Sequence, residues 1–273
     1  MGTVPDPGAA CYPAGRMNFL FVTLFSMAVL FVGMLLCQEL GRRLALRHRR
    51  VDPDHEKGTG VAENAVFGVL GLFLAFTFSS AAARYDEKRH FIIDEANAIE
   101  TAWDRLDVLP TANQPALRDL FRTYIDTRLL AYRDSHDTKA LQAAQVHAVE
   151  LQEQIWSQAV AATASAGTPG VTNIVLPAIN DMTEVAKTRI AARRMHVPMS
   201  IFIVLAMLTL VGAVFGGYGM ASRQSRSTLH SVGFAAVMTL ALYLILDLEY
   251  PRFGFIRLDS TDQILYDLRH SMQ

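Results

Sequence analysis

Four apolar runs, each about as long as a membrane-crossing helix, constrain this chain more than any other feature. A helix needs about 20 apolar residues to cross the hydrocarbon core of a bilayer, which is about 30 Å thick. The runs cover residues 18–37, 62–83, 199–221 and 229–248. Lipid offers no partners to open backbone groups, so the runs predict four transmembrane helices in an all-α, multi-pass protein of the lipid bilayer.

The positions of the runs divide the chain into five predicted segments. A tail rich in proline and glycine precedes the first run, and we expect it to be disordered. A helical extramembrane domain of roughly 115 residues separates the second run from the third, a usual size for one domain. The segments are the tail 1–17, transmembrane helices 1 and 2 in 18–83, the extramembrane domain 84–198, transmembrane helices 3 and 4 in 199–250, and a C-terminal tail 251–273.

No turn signal separates the second apolar run from the charged residues that follow it. Apolar residues recur at helical spacing beyond the run, until Leu109 and Pro110 interrupt the pattern. The sequence therefore predicts one helix from near Ala62 to about Leu109, which leaves the membrane and enters the extramembrane domain.

Three further amphipathic stretches predict that the extramembrane domain is a helical bundle. Pro115 suits the first turn of a new helix, whose apolar face reaches Tyr132. Helical patterns also cover 140–162 and 171–194, whereas no stretch alternates as a strand would. In the third span, Gly212 and Gly216 form a small-xxx-small pattern, which favours close approach of another helix.

The sequence lacks the motifs of enzymes and of nucleic-acid-binding proteins. It contains no His-Glu-x-x-His, no Cys-x-x-Cys, no nucleophile elbow and no glycine loop that would hold a phosphate. The net charge is −1, and no basic face or nucleic-acid-binding motif is present. We therefore predict no catalytic residue, no metal site, no cofactor and no nucleic-acid partner.

The second apolar run holds the main candidates for function. Leu72 and Phe76 are about one helical turn apart, and Ser79 and Ser80 follow after another turn. Apolar constrictions gate pores by dewetting, and hydroxyl groups can replace part of the hydration shell of an ion. The alternative is that the phenylalanines pack against neighbouring helices or lipid.

A dense group of charged and polar residues follows this run. Arranged around the axis of an oligomer, such residues would bias which small inorganic ions enter a pore. The alternative is an ordinary helix end at the membrane surface, with solvated ion pairs along the helix. The candidate pore-mouth residues are Arg84, Asp86, Lys88, Asp94, Glu95 and Asn97.

Three strings in this region carry a resemblance to a known family. They are Gly-Leu-Phe-Leu-Ala-Phe-Thr-Phe-Ser at 71–79, Arg-Tyr-Asp-Glu-Lys-Arg at 84–89 and Asp-Glu-Ala-Asn-Ala-Ile at 94–99. Together with the order of the spans, they resemble the bestrophin-like domain family of bacterial membrane proteins over roughly residues 18–260. The function of that family is itself largely uncharacterised.

A more distant similarity is to the bestrophins, which are pentameric anion channels with apolar rings in the second span, shortly before Arg-Trp-Trp. Setting Arg84 on that arginine places Phe76, Leu72 and Gly68 at the positions of the rings. Gly68 differs from a bulky apolar residue, and Tyr85-Asp86 replaces the two tryptophans. The similarity implies a homo-oligomer, pentameric as in the bestrophins, that conducts anions through a pore lined by the second transmembrane helix.

The resemblance also bears on location, since it implies the bacterial inner membrane. Basic residues near the spans do not decide the orientation, because ten lie on the side of the 84–198 domain and eight on the other. Bestrophins hold their large domain in the cytoplasm, which favours that side here. The alternative function is a non-conducting scaffold or a sensor, in which the 62–109 helix transmits movement between the membrane and the bundle.

Overall fold

A computed structural model describes residues 14–51, 59–133, 138–192, 197–220, 228–251 and 253–272 of the chain. The predicted disordered tail lies largely outside these ranges, and α1 already begins at Ala14. The described residues form helices joined by short connections, and no strand occurs among them. The prediction of an all-α fold is confirmed.

Four helices are long and apolar enough to cross a membrane, which confirms the four predicted transmembrane helices. They are α1 (Ala14–Val51), α2 (Thr59–Asp104), α6 (Met199–Met220) and α7 (Thr228–Glu249). A short 3₁₀ helix, Arg105–Val108, directly follows α2. Leu109 is extended because the residue before a proline is disfavoured in the helical region, so the long predicted helix ends at the expected place.

The helix α1 continues well beyond its apolar run. Glu39 accepts hydrogen bonds from Arg42 at 2.8 Å and from Arg43 at 2.9 Å, one turn further along the same helix. Pairs at this spacing stabilise an exposed helix by about 0.2–0.5 kcal/mol each. Several of the arginines that follow the first run therefore lie on a helix and not in a loop.

The described residues divide into two compact units, and α2 contributes to both. The membrane unit comprises residues 17–85 and 196–255. The bundle unit comprises the described residues of 86–192 and 256–272, together with residues 14–16.

In the membrane unit, glycines of α6 make close packing possible on two sides of that helix. A Cβ atom added to Gly212 would lie 3.3 Å from Leu70 of α2, and one added to Gly216 would lie 3.4 Å from Phe67. Gly217 meets the backbone of α1 at Gln38. The expected close approach at the small-xxx-small pattern is therefore confirmed, and the partner of Gly212 and Gly216 is α2.

The bundle unit contains the end of α2 and the helices α3 (Gln114–Arg133), α4 (Thr138–Ser165), α5 (Pro169–Ala192) and α8 (Asp259–Ser271). Its core is built from large side chains of these helices that are fully buried, among them Phe121, Tyr124, Ile155, Ile179 and Met182. The Tyr124 hydroxyl accepts a hydrogen bond from Gln152 at 2.9 Å, which joins α3 to α4. The predicted helical bundle between the second and third spans is confirmed.

The helix α8 adds structure to the segment that the sequence predicted only as a C-terminal tail. Its apolar residues Leu265 and Leu268 are buried, and so are the flanking Leu258 and Met272. Helix α8 packs against α3. The spacing of these four residues matches one face of a helix, so a signal for α8 was present in the sequence.

Candidate functional site

In the membrane unit, one face of α2 packs against the neighbouring helices. Leu70 and Ala81 are fully buried, and Thr77 between them donates a hydrogen bond to the carbonyl of Phe73 at 2.8 Å. The ring of Phe67 meets that of Phe234 on α7 edge to face, with 5.8 Å between their centroids. This face holds α2 against α6 and α7.

The five pore candidates lie on the other face of α2, and all of them are exposed. Phe76 is 67% exposed and Leu72 is 54% exposed, although both are large apolar side chains. A Cβ atom added to Gly68 would have nothing within 4 Å. Ser79 and Ser80 follow on the same face about one turn after Phe76. The structure therefore brings Gly68, Leu72, Phe76, Ser79 and Ser80 together on one open surface.

This open surface is richer in small residues than the exposed face of α1, although α1 also carries the exposed Ser26. The α1 residues most open to the surroundings are bulky and apolar, and they include Phe21, Val22, Phe25 and Leu36. Such a surface suits lipid tails. On α2, a glycine and two serines accompany the large apolar residues. Small residues are typical of surfaces where transmembrane helices contact one another.

At the end of the second span, Arg84 turns away from the open surface and binds Glu249. The Arg84 Nε donates to a Glu249 carboxylate oxygen at 3.0 Å, and the other oxygen accepts from the Val197 backbone N–H at 2.9 Å. Glu249 is fully buried. Arg84 therefore joins α2 to the end of α7 and the start of α6, so we leave it out of the proposed pore-mouth set.

A second carboxylate, Asp247, holds the turn after α7. It accepts hydrogen bonds from the Phe255 N–H at 2.9 Å and from the Tyr243 hydroxyl at 3.2 Å. Asp247 is buried, and the turn brings Gly254 directly against its carboxylate. Sequence reasoning did not assign this role, although an acidic residue near the end of an apolar run was a signal for it.

The remaining charged candidates lie on the part of α2 in the bundle unit. Asp86 is exposed and forms ion pairs with Arg89 at 3.6 Å and with His90 at 3.5 Å, both on the same helix. Asn97 is exposed, and Lys88 is half-buried. The pairs of Asp86 are of the solvated kind that the sequence left open as an alternative.

Asp94 lines an open groove of about 250 Å³ between α2 and α5. Two further carboxylates, Asp181 and Glu184, line the same groove. Its other lining residues are Phe91, Val185 and Thr188. The groove is therefore acidic.

Glu95, the neighbour of Asp94, is fully buried on another side of α2. It accepts a hydrogen bond from Arg128 at 2.6 Å and another from Arg189. Arg189 also approaches Asp262 at 3.5 Å. Glu95 thus belongs to an internal ion cluster and is not among the exposed residues, so we leave it out of the proposed pore mouth. No local pattern in the sequence indicated that Arg128, Arg189 and Asp262 would contact Glu95.

Within the described ranges, no group of three or more histidine, cysteine, aspartate or glutamate side chains is placed to hold a metal ion. Two features make up the candidate functional site. One is the open surface of α2 in the membrane unit, and the other is the acidic groove beside Asp94 in the bundle unit.

Comparison with known proteins gives one family and a set of similar folds. Residues 28–262 match the Bestrophin-like domain. No curated protein matches the chain in sequence.

Three solved structures of a bacterial bestrophin homolog from Klebsiella pneumoniae show the similar fold. The structure solved by Zn-SAD phasing has a TM-score of 0.65 with 15% identity to this chain. The match covers 88% of this chain and 98% of that chain. A variant of the homolog gives a TM-score of 0.67 with 14% identity, covering 89% and 97%. A second variant gives 0.63 with 16% identity, covering 90% and 98%.

Proposed function

The chain belongs to the bestrophin-like domain family, and from that premise we propose that it is a homo-oligomeric ion channel with its pore lined by α2. One observation carries the proposal. Gly68, Leu72, Phe76, Ser79 and Ser80 share an open face of α2, while the opposite face of the helix packs against α6 and α7. Apolar side chains of this kind form a hydrophobic gate when several copies surround one axis.

The composition of that face supports the proposal that copies of the chain assemble. Two serines and a glycine are more typical of contacts between helices than of a surface that faces lipid. In a closed ring of copies they would line a shared aqueous path. Copies related by rotation would place their Phe76 side chains at one level and their Leu72 side chains one turn away. We propose a pentamer because the bestrophins, which the sequence resembles, are pentamers.

The class of ion is a separate part of the proposal. Resemblance to the bestrophins favours anions. The exposed carboxylate Asp86 and the acidic groove beside Asp94 would instead attract cations if they lie on the ion path. A flux experiment must therefore test both classes.

The test is ion flux through the purified full-length protein in liposomes, with chloride and potassium gradients imposed in separate experiments. Phe76→Ala removes most of the proposed apolar ring, so we expect the flux of the permeant ion to increase. The matched control is Phe25→Ala, because Phe25 is 63% exposed on α1 and would face lipid. We expect that variant to conduct like the wild type.

Equal flux through wild type and Phe76→Ala would mean that Phe76 does not form the gate. A similar increase in Phe25→Ala would mean that the effect comes from altered packing in the bilayer. Absence of flux from well-folded oligomers of all three proteins would contradict the channel function.

The continuous helix α2 favours one other function, a non-conducting scaffold or sensor. It extends from Thr59 to Asp104 and contributes to both compact units, so it could transmit movement along the chain. A closed ring that conducts supports the channel, whereas a non-conducting dimer supports the sensor. Molecular mass in detergent, measured by light scattering beside the flux experiment, separates the two.

For location, we propose the bacterial inner membrane with the bundle unit in the cytoplasm. This orientation follows the bestrophin precedent. Replacing the exposed Glu184 with cysteine in a background without native cysteines provides the test. A membrane-impermeant maleimide should label Glu184→Cys only after the cells are opened. Labelling of intact spheroplasts would contradict the proposed orientation and indicate the opposite one.

A further inference from the structure

Four buried charged side chains from four helices of the bundle unit contact one another. Glu95 of α2 binds Arg128 of α3 at 2.6 Å and also binds Arg189 of α5. The second terminal nitrogen of Arg189 lies 3.5 Å from a carboxylate oxygen of Asp262 on α8. Arg189 is therefore held between a carboxylate of α2 and a carboxylate of the C-terminal helix.

The charge balance of this cluster depends on α8. Among the four side chains, two guanidinium groups face two carboxylates, and each of the four residues is buried. Removal of the Asp262 carboxylate would take away one of the two negative charges among these four side chains. A buried charge without compensation is strongly unfavourable, whereas a fully paired one is tolerated. Asp262 therefore helps to compensate the charge of Arg189 where that side chain binds Glu95.

Other contacts that hold α8 lie closer to the surface. Arg269 forms two hydrogen bonds with the Asp126 carboxylate, at 2.8 and 3.0 Å, and Arg122 donates to the Met272 carbonyl at 2.9 Å. Exposed ion pairs contribute little to stability. The buried leucines of α8 and the Asp262 contact lie deeper than the Arg269 pair. Arg269 itself makes no contact with the four side chains among those described, so it can be replaced without changing any of them.

We propose that α8 is a clasp for α2, in which Asp262 acts as a positioning residue through Arg189. When α8 is docked, Arg189 is held on Glu95 and residues 92–104 of α2 are held in place. When α8 is released, Arg189 loses its second carboxylate and this segment of α2 becomes mobile. Docking or release of α8 thereby changes the mobility of α2. This coupling does not depend on whether the protein conducts ions.

The test is hydrogen–deuterium exchange of the full-length protein in detergent, read by mass spectrometry. In Asp262→Asn we expect amides of both α8 and residues 92–104 to exchange about tenfold faster or more. Asp262→Glu keeps the charge and should restore most of the protection. Asp267→Asn is the matched control, because Asp267 lies on the same helix and accepts only an exposed bond from Gln263 among the contacts described.

A second variant tests the coupling without changing the cluster. Arg269→Gln breaks the exposed pair with Asp126, so it should fold even where Asp262→Asn does not. We expect exchange to rise roughly two- to threefold in α8 and in residues 92–104 together. Faster exchange of α8 with unchanged residues 92–104, in either variant, would overturn the clasp. An effect of Asp267→Asn as large as that of Asp262→Asn would overturn the role of Asp262.

Discussion

Gly41 of α1 and Gly217 of α6 both lie where the two helices cross, and neither position has room for a side chain. A Cβ atom on Gly41 would overlap the carbonyl oxygen of Val214, and one on Gly217 would overlap the backbone of Gln38. Both obstacles are backbone atoms, so a change of rotamer cannot relieve them. The two helices can therefore cross at this distance only because both residues are glycine.

We predict that Gly217→Ala destabilises the protein by about 1–3 kcal/mol, because the helices must separate to admit the methyl group. Thermal unfolding of the detergent-purified protein measures the change. The control is Gly233→Ala on α7, where an added Cβ atom has nothing within 4 Å. We expect the control to melt at or slightly above the wild-type temperature, since alanine favours a helix over glycine. Equal melting of Gly217→Ala and Gly233→Ala would contradict the close crossing.

A second prediction concerns the open position at Gly68. Gly68→Leu would add a large apolar side chain one turn before Leu72, where the structure has free space on the open surface of α2. If α2 lines the pore, the added ring should reduce ion flux severalfold while thermal stability stays near that of the wild type. Gly233→Leu is the matched control at an open glycine of α7. Unchanged flux in Gly68→Leu would place Gly68 outside the pore.

A third prediction separates the neighbours Asp94 and Glu95. Glu95→Gln should cost about 3–5 kcal/mol of unfolding free energy, because it leaves Arg128 and Arg189 buried without a carboxylate between them. Asp94→Asn should change stability by less than about 0.5 kcal/mol, because Asp94 is exposed. Chemical denaturation of the purified variants provides both values. A stable Glu95→Gln protein would argue against the buried ion cluster.

A fourth prediction tests the turn after α7. Gly254→Ala would place a Cβ atom on the Asp247 carboxylate, which holds the Phe255 N–H and the Tyr243 hydroxyl. We expect the variant to lose about 1–3 kcal/mol, because the buried Asp247 carboxylate must move away from the groups that donate to it. The melting temperature gives the first readout. Gly170→Ala is the control, since its Cβ atom would meet only a side-chain methyl group of Thr168 at 4.0 Å.

The transmembrane helices and the long helix α2 could be predicted because their signals are local. Hydropathy over about 20 residues identifies a span. The absence of proline between Ala62 and Leu109 is equally visible in the sequence. Helix α8 carried a similar signal in Leu258, Leu265, Leu268 and Met272, but its short length made it easy to read as a tail.

The roles of individual charged residues could not be predicted in this way. Asp94 and Glu95 are adjacent and chemically alike, yet one lines an open groove and the other is buried between two arginines. Arg84 likewise resembled a pore-mouth residue, whereas its partner Glu249 comes from the end of another span. Each of these differences depends on a partner far away in the chain.

The sequence by itself therefore determined the helical class, the four membrane spans and the strings that identify the family. Only the tertiary structure decided which face of α2 remains open, where α1 and α6 cross and how α8 contacts the ion cluster. The physical reason is the range of the interactions. Hydropathy and helix propensity act within a few turns, whereas the contact of Glu95 with Arg189 joins residues 94 positions apart and exists only after the helices have packed.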